Sequence, residues 1–443
     1  MDVHTAGTGA DDTTDPQLRS WVASANVAHC DFPIQNLPFG VFRRVAGESF
    51  RGGVAIGTEI LDLQAALQAG LFDGPARAAA SAAAGAALND LMASGPVPRR
   101  ALRKALSALL REDSPQRDKV AQCLVAQDAV SMGLPARITG FSDFYASFAH
   151  ARNVGSLFRP DNPVLPNFEW LPAAYHGRTS SIRPSGHPVV RPRGQMKRPD
   201  QAAPVFGPCE KLDYEAEMGF LVGAGNPLAQ PIPVDQAEGH LFGMVIYNDW
   251  SARDIQSWEY QPLGPFVGKS FLSSISPWVV TLDALAPFRC GLQRPAGHAQ
   301  PLPHLQDQCF GTTGAYALTI ETRLRTARMA AAGLPGELIS RSHMHDMYWS
   351  IRQIVAHQTS TGCNLEPGDL LGTGTLSGDS QETWGCLLER TRGGRAPMTL
   401  GNGETRAFLE DGDTVIMHAY CEAPGAVRIG FGECIGTVCA ARN

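Results

Sequence analysis

With 443 residues, 44% of them hydrophobic and 18% charged, at a net charge of −6, the chain has room for two or three domains and a sizeable core. The mild acidity argues against a general nucleic-acid binder, which carries a basic patch. No apolar run reaches the roughly 18 residues of a membrane-spanning helix, and the ten cysteines include no C-x-x-C pair, which argues against a zinc site built on close thiols.

Residues 1–19 are Thr, Asp, Gly and Ala without apolar periodicity, and are expected to be a disordered N-terminus. They lack the basic and apolar regions of a signal peptide, so a cytoplasmic protein is expected. From residue 20, short strands with Gly and Pro turns run to about 60. Residues 60–133 then read as Ala- and Leu-rich helices, with a join near Pro135. From about 137 to the C-terminus, short β-rich runs alternate with turns. That pattern predicts a mainly β second domain, as a curved sheet, roll or sandwich.

Several segments carry groups suited to chemistry. In DFYASFAHARNVG, Ser142 reads as the cap of a helix that begins at Asp143, which would put Asp143 and His150 on one face. Taken alone, that pair is better accounted for by a surface carboxylate and a structural histidine. LDYEAEMGFLVG reads as a strand with Asp213, Glu215 and Glu217 on one face. Like charges that close repel, so this face is either solvated or neutralised by a cation. VIYNDW places Asp249 at the mouth of a strand, and Ser251 with Asp254 reads as an approximate capping box. Arg253, Gln256 and Tyr260 would share the face of the helix that follows, and Lys269 sits behind glycines that do not form a phosphate loop.

Asp143, Glu215, Glu217 and Asp249 together offer hard oxygen ligands of the kind that hold Mg²⁺ or Ca²⁺. GTGTLSG, Gly372 to Gly378, misses the dinucleotide spacing and reads as a loop that brings Thr375 to a ligand. His343 and His345 are expected on different faces of a helix, and Glu389 is a lone acid.

These segments, with DFPIQNLPFGVF, PLGPFVGKSF, LGNGETRAFLEDGDTVI and RIGFGEC, resemble the fumarylacetoacetate hydrolase family, in its fumarylacetoacetase branch, from about Ser20 to the C-terminus. The resemblance implies a mainly β fold with some α: a small SH3-like barrel domain over 20–136 with a helical segment, and a catalytic β-roll over 137–443. It implies a homodimer that hydrolyses a carbon–carbon bond of a small β-diketone acid, and Ca²⁺ or Mg²⁺ held by Asp143, Glu215, Glu217 and Asp249. Lys269 and Ser273 fall at a second cation position. His150 matches the family's base and Glu389 the carboxylate that orients it. Arg253, Gln256 and Lys269 match groups that stabilise negative charge. Tyr145, Arg159, Tyr175, Gln256, Tyr260 and Thr375 match substrate contacts. Another β-diketone hydrolase on the same scaffold, or a non-catalytic member, remains an alternative.

Overall fold

Alternating apolar residues and glycine turns make the strands Phe39–Arg43, Arg51–Ile56 and Glu59–Asp62 an antiparallel meander. Ile56 pairs with Glu59, so the last turn has only two residues, and Gly57 takes the positive φ of 57° that such a turn needs. Leu124–Ala126 and Ser131–Met132 complete a five-stranded sheet. The coordinates are a computed structural model that describes residues 12–442.

Residues 1–11 of the span read as a disordered N-terminus lie outside the described residues. Residues 12–19 differ from that expectation. Asp12–Thr14 form a 3₁₀ turn with Thr13 and Thr14 buried, and Gln35 Nε2 donates to the carbonyls of Asp15 and Leu18. The buried Arg103, on the helix Pro96–Leu110, donates to Thr13 Oγ1 at 2.7 Å and to the Gln35 and Asn36 carbonyls. The Ala-rich helix Gly74–Ala83 owes its composition to close packing. A Cβ on Gly52 of the meander would meet the Ala83 carbonyl oxygen at 1.7 Å, so only small side chains fit between helix and strand.

The rest of the chain is a mixed, sheet-rich fold. Its centre is an eight-stranded sheet in the order Ala174–His176, Phe141–Phe144, Leu370–Gly372, Ala216–Val222, Leu241–Asp249, Ser273–Ile275, Ile182–Pro184, with Val280–Thr281 paired beside Leu241–Asp249. Two of its pairings are parallel, Leu370–Gly372 with Phe141–Phe144 and Ser273–Ile275 with Ile182–Pro184. The sheet is buried on both faces. Leu221, Val245, Tyr247 and Leu370 join the apolar cluster of the N-terminal unit. Met218, Phe220, Met244 and Ile246 join the cluster of a second, five-stranded sheet that includes Leu318–Arg325, Thr414–Cys421 and Ile429–Cys439. Burial on both sides explains why these strands read as near-continuous apolar runs. No helix among the described residues is long and apolar enough to cross a membrane.

Candidate active site

The register of the central sheet aligns the chemistry. Tyr175 pairs with Asp143, Asp143 with Gly372, Gly372 with Gly219, and Asp249 with Ser273. Glu217 lies two residues from Gly219 and pairs with Tyr247, itself two residues from Asp249. Directly paired residues share a face, as do residues two apart on one strand. Asp143, Glu217 and Asp249 therefore project from the same face, and each offers an oxygen within 4.8 Å of the others. Gly372 allows the approach. A Cβ there would lie 2.4 Å from Asp143 Oδ1 and 3.3 Å from Glu217 Oε2.

Asp143 Oδ1, Asp249 Oδ1 and both Glu217 oxygens are buried without a hydrogen-bond partner among the described residues. Burial, then the Asp249 charge, pushes the Asp143 carboxyl well above the usual range. Burial, then Asp143, does the same to Glu217. Burial also raises Asp249, against the pull of Lys269. Orphaned, crowded carboxylate oxygens without soft ligands fit a hard divalent cation. Gly372→Ala is expected to weaken Mg²⁺ or Ca²⁺ binding by about 10–100-fold, since it displaces a carboxylate. Calorimetric titration reads the change, and wild-type affinity in the variant would contradict the placement.

Glu215 does not join this trio. It sits in the break between the strands Leu212–Asp213 and Ala216–Val222, where Arg253 Nη1 reaches its Oε1 at 2.7 Å and Lys269 Nζ donates to its Oε2. Burial alone would raise its pKa, but Arg253 and Lys269 outweigh burial and hold it well below the usual range. Lys269 Nζ also donates to Asp249 Oδ2 at 2.5 Å. Burial opposes its charge, but Asp249 and Glu215 keep it protonated. An ammonium has no lone pair, so this side chain neutralises carboxylates rather than ligating a metal. Ser273 Oγ lies 3.2 Å from the Tyr247 hydroxyl. The Tyr175 hydroxyl donates to Asp249 Oδ2 at 2.7 Å and lies 3.2 Å from Asp143 Oδ2.

Asp213, read as one of the three acids on the LDYEAEMGFLVG face, is buried and neutralised without a metal. It accepts from Arg253 Nε at 2.9 Å and from the backbone N–H groups of Tyr214, Leu387 and Leu388. It holds Arg253 in place, and Arg253 Nη1 is 3.4 Å from Gln256 Oε1. Asp213→Ala removes the Nε partner of a buried guanidinium and orphans three N–H groups. A loss of about 3–5 kcal/mol is expected, read by urea unfolding, and a loss below about 1 kcal/mol would refute this role.

The second centre is a histidine–carboxylate pair. Ser147, not Ser142, caps the helix Phe148–Phe158, accepting from His150 N–H. Asp143 lies in the preceding strand, so the shared helix face expected for Asp143 and His150 does not exist. His150 Nδ1 is 2.7 Å from Glu389 Oε2. Ser377 Oγ donates to the same oxygen at 2.8 Å and Asn153 Nδ2 to Oε1 at 2.9 Å. Burial would raise the Glu389 carboxyl, but His150 and these donors hold it below its usual value. Cys386 Sγ is 3.2 Å from Glu389 Oε2. Asn153 and Ser377 were not singled out in the sequence. Asn153 is three residues after His150 and Ser377 closes GTGTLS, but only the fold turns both toward Glu389.

The Tyr145 ring meets His150 edge-on at 5.2 Å. Thr375 is buried, and its hydroxyl has no partner among the described residues. Gly374 reaches this loop with φ of 73°, and a Cβ there would lie 2.1 Å from the Phe144 carbonyl oxygen. Arg159 closes the His150 helix, its Nη2 3.5 Å from the Pro163 carbonyl. Tyr260 is exposed and bonded to Gln261. Neither is hydrogen-bonded to the carboxylates or to the His150 pair. The expected capping box at Ser251 is absent. Ser251 is in a short strand, and Asp254 accepts from Cys209 and from the N–H groups of Glu210 and Lys211 instead. His343 ends a strand and His345 lies in a 3₁₀ turn, where their rings stack at 5.0 Å rather than occupying separate helix faces.

Comparison with known proteins gives the family. The family model described as "Fumarylacetoacetate (FAA) hydrolase C-terminal" matches residues 139–439, and "Fumarylacetoacetase N-terminal" matches residues 35–135. A fumarylacetoacetase from Oryza sativa subsp. japonica is 45% identical over 95% of this chain and 97% of its own length. One from Homo sapiens is 45% identical over 92% of this chain and 96% of its own. A solved fumarylacetoacetate hydrolase from Exiguobacterium antarcticum shares the fold, with a TM-score of 0.50 at 18% identity, covering 92% of this chain and 100% of that one. The chain belongs to the fumarylacetoacetate hydrolase family.

Proposed function

We propose that the chain is a hydrolase that cleaves a carbon–carbon bond of 4-fumarylacetoacetate, giving fumarate and acetoacetate, the closing reaction of tyrosine and phenylalanine breakdown through homogentisate. The supporting observation is the buried His150–Glu389 pair, together with a trio of carboxylates that each keep at least one unpartnered buried oxygen, in a chain 45% identical to fumarylacetoacetases over nearly its whole length.

Glu389, held as a carboxylate, accepts from His150 Nδ1–H and so leaves the lone pair on Nε2. His150 takes a proton from water through Nε2, and the hydroxide adds to the carbonyl beside the alkene. Arg253, Gln256 and Lys269 supply donors toward the oxyanion, each preorganised donor being worth about 3–4 kcal/mol. Asp213 and Glu215 keep Arg253 oriented for that task. When bound, Mg²⁺ or Ca²⁺ held by Asp143, Glu217 and Asp249, with Glu215 adjacent, supplies Lewis-acid polarisation of the diketone oxygens. The imidazolium returns its proton to the departing enolate carbon. Tyr145, Tyr175, Thr375 and Tyr260 contact the substrate, and Arg159 pairs with one of its carboxylates through charge-assisted hydrogen bonds.

The five-stranded N-terminal meander is read as an SH3-like barrel and residues 137–443 as a catalytic β-roll. A homodimer in the cytoplasm is proposed on the resemblance, as is a second cation position at Ser273, beside which Lys269 is a charge partner of Asp249 and Glu215 rather than a ligand. Loss of the ultraviolet absorbance of fumarylacetoacetate, with fumarate formed in equal amount, tests the function. Cleavage of acylpyruvates alone would favour the related hydrolases, and no cleavage of either would overturn the reading.

A further inference from the structure

The catalytic pair shares its pocket with a thiol that hydrolysis does not use, Cys386. His150, Cys386 and Glu389 are all buried, and each offers a donor atom within 4.8 Å of the others. Glu389 Oε2 is the hub, with His150 Nδ1 at 2.7 Å, Cys386 Sγ at 3.2 Å and Ser377 Oγ at 2.8 Å. Thiol, imidazole and carboxylate select a zinc-like ion, whereas the all-oxygen trio selects Mg²⁺ or Ca²⁺.

We propose that His150, Cys386 and Glu389 form a second, inhibitory metal site that takes Zn²⁺ or Cd²⁺. With Zn–S near 2.3 Å and Zn–N and Zn–O near 2.0 Å, tetrahedral ligand atoms stand roughly 3.3–3.7 Å apart. The observed separations of 2.7 and 3.2 Å need to open by no more than about 1 Å. Ser377 Oγ or a water fills the fourth position. A cavity of about 550 Å³ is lined by Phe148, Ala149, His345, Asp346, Ser377 and Gly378, and Ser377 is one hydrogen bond from Glu389.

The proton balance explains the inhibition. The ion takes the lone pair of Nδ1, so the imidazole proton moves from Nδ1 to Nε2. The thiol proton leaves to solvent, and one proton is released per ion bound. An Nε2 that carries hydrogen no longer accepts a proton from water. Cysteine at position 386 thus exposes the proposed base to a class of ion that the carboxylate trio does not favour.

The inhibition rests on the proposed reaction, and two readouts keep the claims separable. With Mg²⁺ in saturating excess and free Zn²⁺ buffered, fumarylacetoacetate cleavage by the wild type falls as Zn²⁺ rises. Cys386→Ser, which keeps a donor beside Glu389, is expected to need at least about tenfold more Zn²⁺. Superimposable curves place the inhibition at the carboxylate trio and overturn the proposal. Cd²⁺ titration followed by thiolate-to-metal absorbance needs no turnover. A stoichiometric band in the wild type, missing from Cys386→Ser and weakened in His150→Gln, supports the site. Equal bands in wild type and Cys386→Ser, or unchanged affinity in His150→Gln, overturn it even where no substrate is cleaved.

Discussion

Replacing His150 with glutamine is expected to lower kcat by about a hundred- to ten-thousand-fold while the fold stays intact. Glutamine keeps an N–H donor for Glu389, so the buried carboxylate is not orphaned. The helix keeps its start, because Ser147 caps it through the backbone of residue 150 rather than through the ring. What is lost is the lone pair at the position of Nε2, and with it the acceptor for the proton of water. Glu389→Gln is expected to fall comparably, since an amide no longer favours the imidazolium and can hold the imidazole in the wrong tautomer. Single-turnover ultraviolet kinetics and circular dichroism check both variants. Near-wild-type turnover by a folded His150→Gln enzyme would refute the base assignment.

Removing divalent cations is expected to abolish activity and to destabilise the protein, with Mg²⁺ or Ca²⁺ restoring both. At a cation concentration of 100 times Kd, the stabilisation from binding is about 2.7 kcal/mol. The sign of the accompanying pH dependence follows from the carboxyls of Asp143, Glu217 and Asp249, which burial raises above their ordinary values. In the metal-free protein their favourable, protonated contribution is complete below the unfolded pKa of about 4. It is lost as pH rises through the raised folded values. Melting temperature in a chelator should therefore decline as pH rises from about 4, and the bound cation should flatten that decline because it replaces the protons. Undiminished activity after exhaustive chelation, or parallel melting curves with and without cation, would refute the metal centre.

Much of the site was legible because its residues stand in short, dense segments. The alternation in LDYEAEMGFLVG placed Asp213, Glu215 and Glu217 on one face, and the pairing register keeps Glu217 on the face of Asp249. Period alone did not divide the three acids. The fold sends Asp213 to Arg253, forty residues on, ties Glu215 to Arg253 and Lys269, and leaves Glu217 unpartnered. Asp143 was misplaced because Ser142 and Ser147 are both plausible caps, and only the parallel pairing with Leu370–Gly372 makes Phe141–Phe144 a strand. That pairing spans some 230 positions of chain, and no local pattern encodes it. Asn153 and Ser377 escaped notice for a related reason. An amide and a hydroxyl have no spacing signature, and acquire a role only when Glu389 arrives between them.

The row of paired residues across the central sheet also has a temporal meaning. Asp143 leaves the ribosome long before Gly372 and Glu389, yet the strand that carries it gains its parallel neighbour only when Leu370–Gly372 exists. Long-range parallel pairing is slow, because the loop must close before any contact rewards it. A nascent or truncated chain that ends before about residue 370 therefore holds most of the acidic groups but not the sheet that gathers them, nor the partner of His150. In refolding, recovery of activity should lag the appearance of β structure, which makes turnover a report on the last contacts to form rather than on the bulk of the fold.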